Sequence, residues 1–318
     1  MENVEVNLSV QLAPRNARGL ELKNPVMVAS GVIGYGMEYA ELVDVERLGA
    51  IVAKGTTLSP RIGNPQPRLV ETASGLLNSV GLQNIGVDAL IAEKAPIWAT
   101  WGVPVIVNIA GESVDDYSEL AHRLEGVIGI SGVEINISCP NVTGGGIEFG
   151  KSPDMASAVT KAVKSQTTLP VIVKLTPNVT DIVALACAVE EAGADAISLI
   201  NTLRGMAIDI SERRPFLGGV TGGLSGPAIK PVALYMVYQV AQAVAVPIIG
   251  CGGIASDTDA LEFIMAGASA VQIGTVVMTN PRAPIDIMDG IERFMERERV
   301  SGIDQLIGVA KSLLTSKQ

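Results

Sequence analysis

The run Asn136-Ile137-Ser138-Cys139-Pro140-Asn141 sets a cysteine between two amide side chains. It stands where an apolar stretch, Gly132-Val133-Glu134-Ile135, gives way to a loop carrying Gly144-Gly145-Gly146. A thiol in that position can serve as a base or nucleophile once it is ionised. By itself Cys139 reads first as a packing residue, the usual fate of a free cysteine. The chain's one histidine, His122, lies in a polar helical stretch, so proton transfer has to draw on Cys, Lys, Asp, Glu or Tyr.

Other residues with chemical capacity recur at the ends of short apolar runs. They are Ser30-Gly31, Lys54-Gly55, Asn108, Lys174, Asn201-Thr202, Gly250-Cys251-Gly252-Gly253 and Gly274-Thr275. Lys54 and Lys174 sit inside otherwise apolar segments, where an unpaired charge is costly. Two such lysines, with amides on three other runs, point to an anionic ligand. The glycines near residues 252 and 274 would let backbone N–H groups approach a phosphate, and Ser225-Gly226-Pro227 opens a further helix that could add donors. Gly31-Val32-Ile33-Gly34-Tyr35-Gly36 lacks the Gly-x-Gly-x-x-Gly spacing and the following acidic residue, which excludes a Rossmann NAD site there.

The elements that must position these groups alternate in type. Strands are expected at 25–30, 50–55, 104–109, 133–139, 170–176, 196–201, 247–252 and 270–274. Helices are expected at 37–48, 114–124, 153–165, 181–192, 227–244, 258–266 and 281–299. Thr180 and Ser256 are candidate caps, and Gly193 and Gly267 fall just past two helix ends. Eight strands with intervening helices predict a single (β/α)8 TIM barrel spanning residues 1–318, rather than an open doubly wound sheet. Residues 4–22 are expected to form a two-stranded cover at its N-terminal end. Residues 56–95, rich in Gly, Pro and Asn, form a long insertion after the second strand, on the face where such barrels build their sites.

Composition agrees and narrows the field. The chain has 318 residues, 48% hydrophobic and only 3% aromatic, which suits β-branched strands buried on both faces. A net charge of -10 disfavours a nucleic-acid partner without excluding a local phosphate pocket. Three scattered cysteines, Cys139, Cys187 and Cys251, give neither a disulfide framework nor a metal-ligand spacing. Cys187 reads as helix core. The charged N-terminal stretch is no signal peptide, and no apolar run reaches the ~20 residues of a spanning helix. A cytoplasmic protein is expected.

Four motifs together resemble the dihydroorotate dehydrogenases, FMN-dependent barrel enzymes of pyrimidine synthesis. They are Lys54-Gly55-Thr56-Thr57-Leu58-Ser59-Pro60-Arg61-Ile62-Gly63-Asn64-Pro65, Asn78-Ser79-Val80-Gly81-Leu82-Gln83-Asn84, the run around Cys139, and Gly250-Cys251-Gly252-Gly253-Ile254. Cysteine at the base position is similar to class 1, since the membrane-bound class 2 enzymes use serine. Gly81-Leu82-Gln83-Asn84 and the Gly144–Gly146 loop are more similar to the NAD-linked type B catalytic subunit than to the fumarate-using type A enzyme.

The resemblance implies that Cys139 takes the C5 proton of dihydroorotate while C6 delivers hydride to flavin N5. It implies that Lys54, Asn78, Val80, Gly81, Leu82, Asn136, Asn141, Asn201 and Thr202 surround the substrate. FMN contacts would fall at Ser30, Lys54, Gly55, Asn108, Asn136, Lys174, Ile200, Gly226, Gly252, Gly253, Gly274 and Thr275. A partner subunit carrying FAD and an iron–sulfur cluster of the 2Fe–2S type would pass electrons to NAD, with two copies of each chain forming a heterotetramer around a homodimer of this one. The competing readings are a Schiff-base aldolase using Lys174, a flavin barrel acting on RNA uridines, and a non-catalytic subunit. The aldolase would explain Lys174 but not Cys139 with its flanking asparagines, and the acidic balance and lack of a basic appendix argue against the RNA-directed barrel.

Overall fold

The computed structural model describes residues 6–138 and 149–311. Eight short strands close into a parallel barrel: Val26–Val28, Ala50–Thr56, Val105–Ile109, Gly132–Asn136, Val171–Leu175, Ala196–Leu199, Ile248–Cys251 and Ala270–Ile273. Neighbours follow chain order, and the eighth strand returns to the first with Gln272 opposite Met27. Almost every strand residue is buried, because helices cover the outer face and side chains fill the interior. The expected barrel is therefore observed.

The helices that pack outside carry their own start signals. Val114–Leu124 is capped by Ser113, whose side chain accepts from the Asp116 amide, and it buries Tyr117, Leu120, Ala121 and Leu124. Asp257–Ala266 opens with a reciprocal capping box between Ser256 and Asp259. Ile182–Glu191 is capped by Asp181, not by Thr180, because the Asp181 carboxylate reaches both the Val183 and Ala184 amides. The stretch expected as one helix from 37 to 48 breaks into Met37–Ala40 and the 3-10 turn Val45–Arg47. Asp44 causes the break, since its side chain accepts from the Glu46 amide and starts a new turn. The helix expected over 227–244 becomes a 3-10 turn, Pro227–Ile229, followed by Lys230–Val240. Cys187 is half-buried rather than core.

The barrel's N-terminal end is covered by the hairpin Val10–Gln11 and Glu21–Leu22. Its turn is tied down where Asn16 Nδ2 donates to Asp195 Oδ2 at 3.2 Å, just before the sixth strand. The insertion after the second strand is more than a loop. Its strands Leu69–Thr72 and Gly75–Asn78 join Gly222–Ser225 and Leu203–Gly205, from the excursion after the sixth strand, in a four-stranded antiparallel sheet. Two separate excursions thus brace each other above the C-terminal mouth. No helix among the described residues is long and apolar enough to cross a membrane.

Candidate active site

The barrel interior holds a connected polar stack. Glu134, fully buried on the fourth strand, accepts from Asn108 Nδ2 at 2.7 Å, Ser198 Oγ at 3.0 Å and Gln272 Nε2 at 2.6 Å. Gln272 Oε1 in turn accepts from Lys174 Nζ at 2.7 Å, and Cys251 Sγ lies 3.7 Å from the same ammonium. Strands three to eight each contribute one member. Burial pulls the Lys174 pKa down, but its acidic neighbours Cys251 and Glu134 outweigh burial and raise it. Burial also pushes the Cys251 thiol up, so that thiol is neutral at neutral pH.

One level nearer the mouth, Asn136 stands opposite Lys174 in the strand pairing. Its Oδ1 accepts from Asn201 Nδ2 at 3.3 Å and from the Ser138 amide at 3.2 Å. The second bond is an Asx turn that ends the strand at Asn136, three residues short of the expected end. Asn201 Oδ1 accepts from the Thr202 amide. Lys54 is half-buried on the second strand, and a β-carbon on Gly31 would lie 3.9 Å from its Nζ. Burial, followed by the nearby Arg68 charge, holds the Lys54 pKa below the ordinary lysine range. Ser30 Oγ donates to the Ala53 carbonyl at 2.8 Å, which joins the ends of strands one and two.

The excursions supply the rim. Asn78 Nδ2 donates to the Gly223 carbonyl at 3.2 Å, and a β-carbon on Gly223 would overlap Thr202 Oγ1. Gly81 and Leu82 both have positive φ, +74° and 53°. They follow Val80, whose carbonyl accepts from the Asn64 amide at 3.0 Å. This turn leans the Leu82 side chain over the barrel, where a β-carbon on Gly55 would meet Leu82 Cδ2 at 3.3 Å and Asn108 Oδ1 at 3.0 Å. A groove of ≈ 800 Å³ opens beside Gly81, between residues 57–65 and 110–112. The Arg61–Glu112 ion pair, at 2.6 Å, links its two walls.

Glycines converge on the opposite side of the mouth. Gly226, Gly252 and Gly253 have φ of +91°, +127° and +79°. A β-carbon on Gly253 would sit 2.7 Å from the Lys230 amide nitrogen and 2.8 Å from the Gly226 carbonyl. Thr275 Oγ1 donates to Ser225 Oγ at 2.8 Å, which brings the eighth-strand end against the same turn. The helix Lys230–Val240 starts there, with the Lys230 amide nitrogen close to Gly253. The Lys230 side chain is not part of this glycine cluster, being held by Asp259 and Glu262.

The fold thus gathers Lys54, Gly55, Asn108, Asn136, Lys174, Asn201 and Thr202 around one mouth. Ser30, Asn78, Val80, Gly81 and Leu82 lie on its rim, and Gly226, Gly252, Gly253, Gly274 and Thr275 on its far side. Ile200 follows the sixth strand, and its amide donates to the Cys251 carbonyl. Cys139 and Asn141 lie outside the described residues. Glu134, Ser198 and Gln272 were not anticipated, nor was the side-chain bond between Ser225 and Thr275. A charge inside an apolar run, the signal that drew attention to Lys54 and Lys174, applies equally to Glu134.

The family model for dihydroorotate dehydrogenase matches residues 13–295. The chain belongs to the dihydroorotate dehydrogenase family. Among similar dihydroorotate dehydrogenases, the one from Pelobacter propionicus is 57% identical over 293 residues, covering 92% of this chain and 96% of the relative. That of Geotalea daltonii is 54% identical over 305 residues, covering 96% and 98%. That of Geobacter sulfurreducens is 54% identical over 302 residues, covering 95% and 97%. All three are named dihydroorotate dehydrogenase B (NAD(+)), catalytic subunit.

Proposed function

We propose that this chain is the catalytic subunit of an NAD-linked dihydroorotate dehydrogenase, which oxidises dihydroorotate to orotate in pyrimidine synthesis with FMN as cofactor. The observation that carries the reading is the ring of Lys54, Lys174, Asn108, Asn136 and Asn201 around one barrel mouth, in a chain more than half identical to enzymes of that name.

The residues present fit FMN on two counts. The glycine cradle at Gly226 and Gly253, closed by Thr275, suits a phosphate at a helix N-terminus. Asn108 Oδ1 is buried with no partner among the described residues, which suits a ring N–H. Asn108, Asn136, Lys174, Gly55 and Ser30 would hold the ring side, with Gly226, Gly252, Gly253, Gly274 and Thr275 at the phosphate. When bound, FMN supplies the acceptor for the hydride that leaves C6 of the substrate.

The chain's own residues do the rest. Lys54 and the amides of Asn78, Asn136, Asn141 and Asn201 bind a substrate that has one carboxylate and two ring amides, because amide side chains donate and accept at once. Leu82, Val80 and Gly81 exclude water from one side. Cys139, as thiolate, removes the C5 proton. Lys174 keeps a positive charge inside the barrel, where it favours an anionic occupant.

The two electrons removed must leave the chain. Three cysteines fall short of the four thiolates of an ordinary iron–sulfur cluster, and the chain has no Rossmann fingerprint. A second subunit with FAD and a 2Fe–2S cluster would therefore carry them to NAD, in a heterotetramer built on a dimer of this chain in the cytoplasm. The purified chain, loaded with FMN and given dihydroorotate and an artificial dye, should make orotate. It should turn over slowly with NAD until the partner is added. Rapid NAD reduction by the chain alone would remove the partner, efficient turnover with fumarate would move it to the type A enzymes, and no orotate with any acceptor would refute the function.

A further inference from the structure

Glu134 touches no expected substrate position, yet it is the most connected side chain of the barrel interior. All three of its partners, Asn108 Nδ2, Ser198 Oγ and Gln272 Nε2, donate to it. A carboxylate can only accept, so each amide facing it must present its NH2 group and turn its oxygen away. For Gln272 the oxygen then meets Lys174 Nζ, which can only donate. For Asn108 the oxygen points the other way, past Gly55 and Leu82, and is buried without a partner among the described residues. An isolated asparagine could turn over to offer either group. This one cannot, because its NH2 is committed at 2.7 Å to an acceptor-only neighbour.

We infer that Glu134 is a positioning residue that fixes Asn108 as a hydrogen-bond acceptor toward the barrel mouth, so that the mouth selects a ligand offering an N–H donor at that point. The inference rests on the reading that FMN occupies the mouth. It assigns Glu134 a role that the residues lining the cofactor do not reveal.

The chemistry of a replacement is specific. Glu134→Gln has one oxygen and one NH2. Placing the NH2 toward Gln272 would turn that amide's NH2 onto the Lys174 ammonium, two donors face to face in a fully buried site. Placing it toward Asn108 leaves Ser198 and Gln272 satisfied and lets Asn108 turn over, because its oxygen has no partner among the described residues to lose. The second arrangement is the cheaper one. Asn108 then presents NH2 to the ligand's N–H, and one hydrogen bond is replaced by two opposed donors. One unmade buried bond corresponds to roughly ten- to a hundredfold in affinity.

The double variant Glu134→Gln with Asn108→Asp exchanges the amide and the carboxylate. The introduced glutamine would donate to one oxygen of the introduced aspartate, the other oxygen would accept from the ligand, and the net charge of the pair is unchanged. The experiment strips FMN from each protein and titrates it back, following quenching of flavin fluorescence. Glu134→Gln should bind FMN about ten- to a hundredfold more weakly than wild type. Asn108→Asp alone should also bind weakly, because it faces one carboxylate with another. The exchanged pair should recover affinity to within about threefold of wild type, a rescue that general loosening of the core cannot give. Wild-type affinity in Glu134→Gln, or an exchanged pair that fails to fold or recovers nothing, would overturn the role of Glu134 alone. A wild-type protein that takes up no FMN would overturn the cofactor reading and this role with it. If Glu134→Gln does not fold, recovery of folding and FMN uptake in the exchanged pair supports the inference.

Discussion

Gly253→Ala tests the phosphate cradle where its geometry is tightest. The residue has φ +79°, in the left-handed region, which costs an L-residue roughly 1–2 kcal/mol. The added β-carbon would also lie 2.7 Å from the Lys230 amide nitrogen, 2.8 Å from the Gly226 carbonyl and 2.8 Å from Lys230 Cβ. Two of these neighbours are backbone atoms, so relief requires the turn before Lys230–Val240 to move, and that turn carries the amides proposed to bind the phosphate. A loss of about 2 kcal/mol in stability is expected, a melting shift of a few degrees for a chain of this size. If the same displacement removes one charge-assisted phosphate bond, FMN affinity falls about tenfold or more. Gly126→Ala is the control: its φ is +74°, a β-carbon there meets nothing within 4 Å, and it precedes the fourth strand at the far end of the barrel. It should show the backbone cost with unchanged FMN affinity. Thermal unfolding and flavin titration on both variants give the answer. A folded Gly253→Ala protein with wild-type FMN affinity would refute the cradle.

Cys139→Ala should still bind orotate but lose most flavin reduction by dihydroorotate, and Cys139→Ser should recover some of it only at raised pH; stopped-flow absorbance reads both. Burial and then Arg68 depress the Lys54 pKa, so its ammonium is lost as pH rises through a range below that of an exposed lysine. Substrate affinity should weaken across that range, and Lys54→Gln, measured by orotate titration, should bind weakly with no such pH dependence. Glu125 accepts from Thr167 Oγ1 at 2.6 Å and from the Thr168 amide at 2.8 Å, and these bonds, with Arg18, hold its pKa at about 2 against an ordinary 4.5. Its stabilisation is present above that ordinary value and disappears as pH falls toward 2; after discounting for exposure, Glu125→Gln should lose about 1 kcal/mol at pH 7 and flatten the acid limb of a denaturation series.

The barrel was legible because parallel strands covered on both faces appear as short apolar runs, and each of the eight runs became a strand with ends within a few residues. Lys54 and Lys174 were legible for a related reason: a charge inside such a run needs a local purpose. Glu134 carried the same signal but merged with its apolar neighbours, since nothing local shows that its three partners come from strands three, six and eight. The four-stranded sheet over the mouth was not legible either. Gly222–Ser225 and Gly75–Asn78 pair across more than a hundred residues, and their glycines read as loop. At Asp44 and Asp181, single carboxylates redirected helix starts that hydrophobic spacing alone placed elsewhere.

The most direct measurement is the visible spectrum of the purified, FMN-loaded chain under anaerobic titration with dihydroorotate. A flavin absorption band that bleaches with one equivalent of substrate, with one equivalent of orotate formed, is the result expected of a dihydroorotate-oxidising FMN site in this barrel. A chain that stays colourless after incubation with FMN, or a flavin band that dihydroorotate leaves unchanged, would contradict it.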